Sequence, residues 1–224
     1  DNIPLKDMES AVGHAVRCLY LLCAMADVAE NFGDRELMEA CRRTYSDIVN
    51  KKMYITGSVG STRIDEAFTL PYDLPCKSAY AETCASIALM LFADRMCRTE
   101  KKACYADTVE KAMYNGMLSG ISLKGDSFFY ENPLEINLRN YARESVKSGE
   151  EQLPLTQRVH LFECSCCPPN LVRTIASIGG YAYNAGDDGC YINQFMDSEF
   201  EYEGMRITQK TAYPSGGTVE ITCE

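Results

Sequence analysis

Glu163-Cys164-Ser165-Cys166-Cys167-Pro168-Pro169-Asn170 sets three cysteines within four residues, directly ahead of a proline pair. Proline suits a first helical turn, so the segment reads as the start of a helix running to about Ala185. Thiols at that mouth meet free N–H groups and the positive end of the helix dipole, which favour the thiolate. A thiolate there can bind a cation, attack an electrophile, or do both. Two rival readings stay open: thiols packed for structure, and a redox pair. Against the second, adjacent cysteines make a strained disulfide.

A zinc site usually needs four protein ligands, so partners must come from elsewhere. His14, His160 and the pair in Tyr80-Ala81-Glu82-Thr83-Cys84 are the candidates. Glu82 and Cys84 stand two apart, about 200° around an ideal helix. They converge on one ion only if the helix start is loosened or the Glu82 side chain curls back; otherwise Cys84 is buried and Glu82 lies on the surface. Glu66, in Arg63-Ile64-Asp65-Glu66-Ala67-Phe68, follows the glycine-rich loop Thr56 to Thr62. That loop lacks the Gly-Lys-Ser/Thr ending of a phosphate loop. A carboxyl between Ile64 and Phe68 suits a general acid, with a surface glutamate as the alternative. His14 falls among apolar residues of a first helix, as a core residue or a ligand. Tyr130 and Asn132, before Pro133, meet a polar ligand or close a turn.

Around these sites the pattern is helical. Apolar spacing predicts a helix from Asp7 to Phe32, ended by Gly33, and a second, capped by Asp34, to about Lys52. Further helices are expected over Ser78 to Met96 and Ala103 to Ser119, with a short strand at Phe128 to Tyr130. The polar stretch Asn137 to Gln157 reads as an excursion loop. After Gly186 alternation predicts strands over Cys190 to Met196, Phe200 to Lys210 and Thr218 to Cys223.

The 224 residues are 46% hydrophobic and 24% charged, which is globular composition with a sizeable core. A net charge of −10 argues against nucleic acid or an anionic membrane as partner. The apolar run from Cys18 to Ala26 is too short to span a bilayer. Arg42-Arg43 and Lys51-Lys52 read as solvated faces. Of the 12 cysteines, Cys18, Cys23, Cys41, Cys84, Cys97 and Cys104 fall in helices and read as buried free thiols. Free thiols imply a reducing compartment, hence a cytoplasmic protein. The start at Asp1-Asn2-Ile3-Pro4 reads as an internal cut.

Taken in order, Gly13 to Arg17, Gly57 to Phe68, Tyr72-Asp73-Leu74-Pro75, Glu82 to Ser86, Tyr130 to Glu135 and Cys164 to Asn170 resemble glycoside hydrolase family 127, the β-L-arabinofuranosidases. The resemblance implies a mainly α fold: the second half of an (α/α)6 barrel over residues 1–186, followed by the beginning of a β-sandwich over 187–224. It implies Cys166 as nucleophile and Glu66 as acid/base in a retaining hydrolysis. It further implies Zn2+ held by Glu82, Cys84, Cys166 and Cys167, and sugar contacts from His14, Tyr130 and Glu82. The implied partner is an arabinose-containing oligosaccharide or glycan. Asp65 departs from the pattern, standing where members carry glycine. A half barrel would leave helix faces exposed for self-association, and the chain alone is expected to be weakly active or inactive. The rivals are a non-catalytic, zinc-stabilised helical protein and a hydrolase of the same family for an unusual pectic sugar acid.

Overall fold

Gly33 closes the first helix in the left-handed conformation, φ 66°, and Asp34 starts the second by accepting a hydrogen bond from the Leu37 N–H at 3.1 Å. These local signals set the opening of the computed structural model, which describes residues 3–136, 157–160 and 166–224. The expected excursion loop falls almost wholly outside those residues. Helix α1 is Ala15–Phe32 and α2 is Arg35–Asp47, continued by a wider π-type turn over Ile48–Lys52. The helix expected from Asp7 begins only at Ala15, because Gly13 takes φ 72° and no right-handed helix runs through that value. Gly13–His14 instead forms strand β1, antiparallel to β2 (Ala67–Phe68), with His14 opposite Ala67. His14 is therefore the cap of α1, not one of its turns.

Helix α3 (Thr83–Glu100) is the core element, packed against α1, α4 (Ala103–Lys111) and α5 (Cys167–Ala176). Ile87, Leu89, Met90, Phe92 and Met96 are wholly buried on it, as expected of a helix apolar nearly all round. It starts at Thr83 and not at Ser78, because Ala81 is left-handed, φ 43°, and Glu82 is extended. Helix α4 runs on through a π-type turn over Ala112–Met117. Gly57 lies against this turn with φ 77°, where an added Cβ would stand 2.8 Å from the Ala112 nitrogen.

Helix α5 is shorter than expected and stops at Ala176; a 3-10 turn over Ile178–Tyr181 carries Gly179 and Gly180. Strands β3 (Tyr183–Gly186) and β4 (Gly189–Ile192) form a hairpin. The single strand expected from Phe200 to Lys210 is two, β5 (Ser198–Tyr202) and β6 (Met205–Thr211), because Glu203 and Gly204 both take positive φ and turn the chain. With β7 (Val219–Cys223) they make an antiparallel sheet in the order β5-β6-β7. Gln194 ties this region to the helices, its Nε2 donating to the Ala106 carbonyl at 3.0 Å. No helix among the described residues is long and apolar enough to cross a membrane.

Two surface readings are corrected. Lys52 is 4% exposed and pairs with Asp47 at 3.0 Å, so it is a buried ion-pair partner and not a solvated charge. Cys104 is exposed, whereas Cys18, Cys23, Cys41, Cys84 and Cys97 are buried free thiols.

Replacing Gly57 by Ala is expected to cost about 2–3 kcal/mol, from backbone strain plus collision with the α4 turn. Gly125→Ala, at φ 76° with open space around it, carries the strain alone and serves as the comparison. Urea unfolding of both variants checks this; equal losses would mean that the loop gives way without resistance.

Candidate active site

The two helix starts of α3 and α5 meet. Glu82 caps α3 in an extended conformation, φ −58° and ψ 135°, so it leaves the helix spiral and turns toward Cys84 in the first turn. This is the loosened start that the spacing of Glu82 and Cys84 demanded. Backbone pairing holds it: the Thr83 N–H donates to the Tyr130 carbonyl at 2.9 Å. Asn132 closes the turn, its Nδ2 donating to the Ala81 carbonyl and the Thr83 hydroxyl, each at 3.0 Å. Across from it Cys166 caps α5 and Cys167 is its first residue. One ligand atom from each of Glu82, Cys84, Cys166 and Cys167 lies within 4.8 Å of all the others.

The spacings suit a cation. Cys166 Sγ is 3.9 Å from Cys84 Sγ and 3.8 Å from Cys167 Sγ. Glu82 Oε1 is 3.5 Å from Cys166 Sγ and 3.6 Å from Cys167 Sγ. A tetrahedral ion with sulfurs at about 2.3 Å and an oxygen at about 2.0–2.2 Å gives sulfur–sulfur edges of about 3.8 Å and sulfur–oxygen edges of about 3.5–3.6 Å. Glu82 Oε2 is buried and has no hydrogen-bond partner among the described residues, an expensive state for a carboxyl unless a charge stands near. Three sulfurs and one carboxylate are a donor set for a soft, tetrahedral metal.

Without an ion the four groups share protons. Burial pushes Glu82 up to about 8, with the Cys166 sulfur and Glu66 adding to it. Cys166 is held well below the ordinary thiol value, first by hydrogen bonds from Cys167 and Cys84 and then by that of Tyr130. Its neighbours move the other way: Cys84 is pushed up to about 12 by its hydrogen bond to Cys166, and Cys167 is raised for the same reason. These shifts favour the thiolate on the exposed sulfur, Cys84 and Cys167 being buried. The Tyr130 hydroxyl stands 3.1 Å from Cys166 Sγ, placed to donate to it.

Cys166 opens into a cavity of about 550 Å³ that is also lined by His14, Glu66, Glu82, Cys84 and Tyr130. The seven site residues that the family resemblance implied are therefore at one place, six on the wall and Cys167 behind it. Glu66 does not sit between apolar neighbours, since Ile64 is 77% exposed. It is held by polar contacts: Oε2 lies 2.7 Å from His14 Nε2, and Oε1 accepts from the Tyr80 hydroxyl at 2.7 Å. His160 is elsewhere, exposed and bonded to the Asp126 carbonyl. Sequence reasoning missed Tyr80, Arg17, Asn170 and Arg173. Tyr80 had one usable signal, its place two residues before Glu82. The others line the cavity from α1 and α5, one turn beyond His14 for Arg17 and one and two turns beyond Cys166 for Asn170 and Arg173, and follow only once both helix starts are known to meet.

Residues 1–180 match the family described as beta-L-arabinofuranosidase, GH127 catalytic domain. A curated relative, the non-reducing end beta-L-arabinofuranosidase of Bifidobacterium longum subsp. longum, is 39% identical over 222 residues, covering 98% of this chain and 33% of that protein. A solved GH127 beta-L-arabinofuranosidase from Geobacillus stearothermophilus T6 superposes with a TM-score of 0.91 at 43% identity, covering 99% of this chain and 35% of the other. A second solved GH127 beta-arabinofuranosidase gives 0.86 at 38% identity, covering 98% and 33%. The chain spans about a third of the length of the relatives it matches. By the family match over residues 1–180, the chain belongs to the GH127 beta-L-arabinofuranosidase catalytic-domain family.

Proposed function

We propose that this chain carries the catalytic centre of a zinc-dependent, retaining β-L-arabinofuranosidase acting on the non-reducing ends of arabinose-containing glycans. The observation that supports it most is a sulfur disposed to be a thiolate, Cys166, opening into the same cavity as the carboxyl of Glu66. Residues 1–186 are assigned to part of an (α/α)6 barrel and 187–224 to the beginning of a β-sandwich.

In the first displacement the Cys166 sulfur attacks the anomeric carbon, a C–S bond forms and the glycosidic C–O bond breaks. Glu66 gives its proton to the departing oxygen. In the second, water attacks the same carbon, the C–S bond breaks, and Glu66 takes the proton back, so configuration is retained. Glu82, Cys84, Cys166 and Cys167 would hold zinc, which would supply the positive charge that keeps the sulfurs deprotonated near neutral pH. Tyr130 steadies charge on the Cys166 sulfur as it enters and leaves, and His14 holds Glu66 while facing the sugar.

A purely structural zinc site is less well supported, because structural sites are closed whereas Cys166 is exposed to a cavity. A sugar acid as substrate has one observation in its favour: Arg17 and Arg173 line the same cavity. A panel of neutral and uronic aryl glycosides separates the two substrates.

A form of the protein spanning its relatives' length is expected to hydrolyse an aryl β-L-arabinofuranoside with retention, and the 224-residue chain to do so far more slowly. Glu66→Gln and Cys166→Ala should each lower kcat at least about 100-fold. Activity indifferent to both substitutions would remove the mechanism.

Zinc binding should release about three protons per ion near pH 7, from Glu82, Cys84 and Cys167, so affinity should rise with pH until these groups are ionised. Calorimetry in buffers of different ionisation enthalpy measures the number. Cys84→Ser and Cys167→Ser should lose the ion; a folded chain that binds no zinc would defeat the assignment.

A further inference from the structure

Glu66 belongs to a loop that does not hold it by regular structure. It follows Asp65 in a pair of left-handed residues, φ 54° and 50°, a conformation that non-glycine residues adopt only under constraint. Its side chain is 33% exposed. Left to itself, a carboxyl on three rotatable bonds would sample many positions. Two contacts fix it from opposite sides. His14 meets Oε2 from the cavity wall, whereas Tyr80, 6% exposed and not among the lining residues, meets Oε1 from behind.

Tyr80 is fixed in turn. The Arg63 guanidinium lies 5.8 Å from its ring centre, and Arg63 pairs with the half-buried Glu131 at 2.5 Å. The Tyr130 ring stands 6.1 Å away on another side, which links the support of Glu66 to the tyrosine beside Cys166. A phenol O–H aimed at one carboxyl oxygen makes that oxygen an acceptor. A proton placed there would face the phenol hydrogen.

We propose that Tyr80 is a positioning residue for Glu66, its hydroxyl keeping Oε1 an acceptor so that the exchanged proton travels through Oε2, on the cavity side with His14. The inference rests on the reading of Glu66 as the acid/base. Tyr80 never touches the sugar. Its loss therefore matters most where the departing oxygen needs a well-placed proton.

The test is Tyr80→Phe in a form spanning the relatives' length, assayed on a nitrophenyl and an alkyl β-L-arabinofuranoside. With the alkyl aglycone kcat should fall about 10–100-fold, and with the nitrophenyl aglycone only a few-fold, KM being unchanged in both. A second readout needs no turnover. The carboxyl 13C resonance of Glu66, identified as the one missing in Glu66→Gln, should move in Tyr80→Phe and stay in Tyr54→Phe, whose hydroxyl bonds the Pro75 carbonyl instead. Equal losses on both aglycones, or an unmoved resonance, would overturn the proposal. If the unsubstituted protein cleaves neither glycoside, the proposed function fails, and the resonance alone still decides whether Tyr80 holds Glu66.

Discussion

The interaction on which the rest depends is the meeting of two helix starts at one set of soft donors. Helix α3 supplies Glu82 as its cap and Cys84 in its first turn; α5 supplies Cys166 as its cap and Cys167 as its first residue. Both helices direct the positive ends of their dipoles at the same point, which favours negative charge there before any ion is bound. Cys166 is pushed toward the charged form and Glu82, Cys84 and Cys167 toward the neutral one, so the four titrate as a coupled set. The same arrangement makes the place suitable for a cation, because the charge is concentrated and one carboxyl oxygen of Glu82 is buried with no partner among the described residues.

That convergence costs backbone strain, and the core has to hold it. Asp65, Glu66 and Ala81 all take left-handed φ, at about 1–3 kcal/mol each. These three residues lie in the loops that carry Glu66 and Glu82, while α3 behind them is buried along most of its length. A rigid helix under two strained loops is an arrangement in which the side chains cannot relax without moving the core. Asp65 illustrates the point. It keeps the left-handed turn that glycine would adopt freely, so the turn itself is required there, and a carboxylate is tolerated because its side chain is on the exposed side of the loop.

What could be read in the sequence divides along the same line. Gly33 and Asp34 act on their immediate neighbours, so the first helix end and the second helix start were legible. The cysteine cluster was legible as a helix mouth for the same reason, since proline after Cys167 leaves few alternatives. His14 was misread because apolar periodicity continues across Gly13, whose positive φ is set by pairing with Ala67–Phe68 far along the chain. The Phe200 to Lys210 stretch was misread because alternation survives a two-residue turn. Glu82 and Cys84 were ambiguous on spacing alone, and only the backbone pairing with Tyr130 and Glu131 decides that the start is loosened. Tyr80 was missed because its importance lies in what it touches, and nothing in its local sequence encodes Glu66.

The four donors also raise the question of which sulfur reacts. By type the three cysteines are equivalent, and an ion would lower the nucleophilicity of each along with its pKa. The distinction is access and partners. Cys167 is 0% exposed and Cys84 3%, whereas Cys166 is exposed, lines the cavity and has a phenol 3.1 Å from its sulfur. On the proposed mechanism a sulfur must leave its partners part-way, bond to carbon, and return when the C–S bond breaks. Cys167 lies behind the cavity wall, and Cys84, though it borders the cavity, is almost wholly covered. Cys166 would move toward the cavity and toward Tyr130, and Glu82, Cys84 and Cys167 would remain to hold an ion. On the proposed mechanism, exposure and the phenol beside its sulfur favour Cys166 as the attacking group, with Cys84, Cys167 and Glu82 as the part of the site that stays in place.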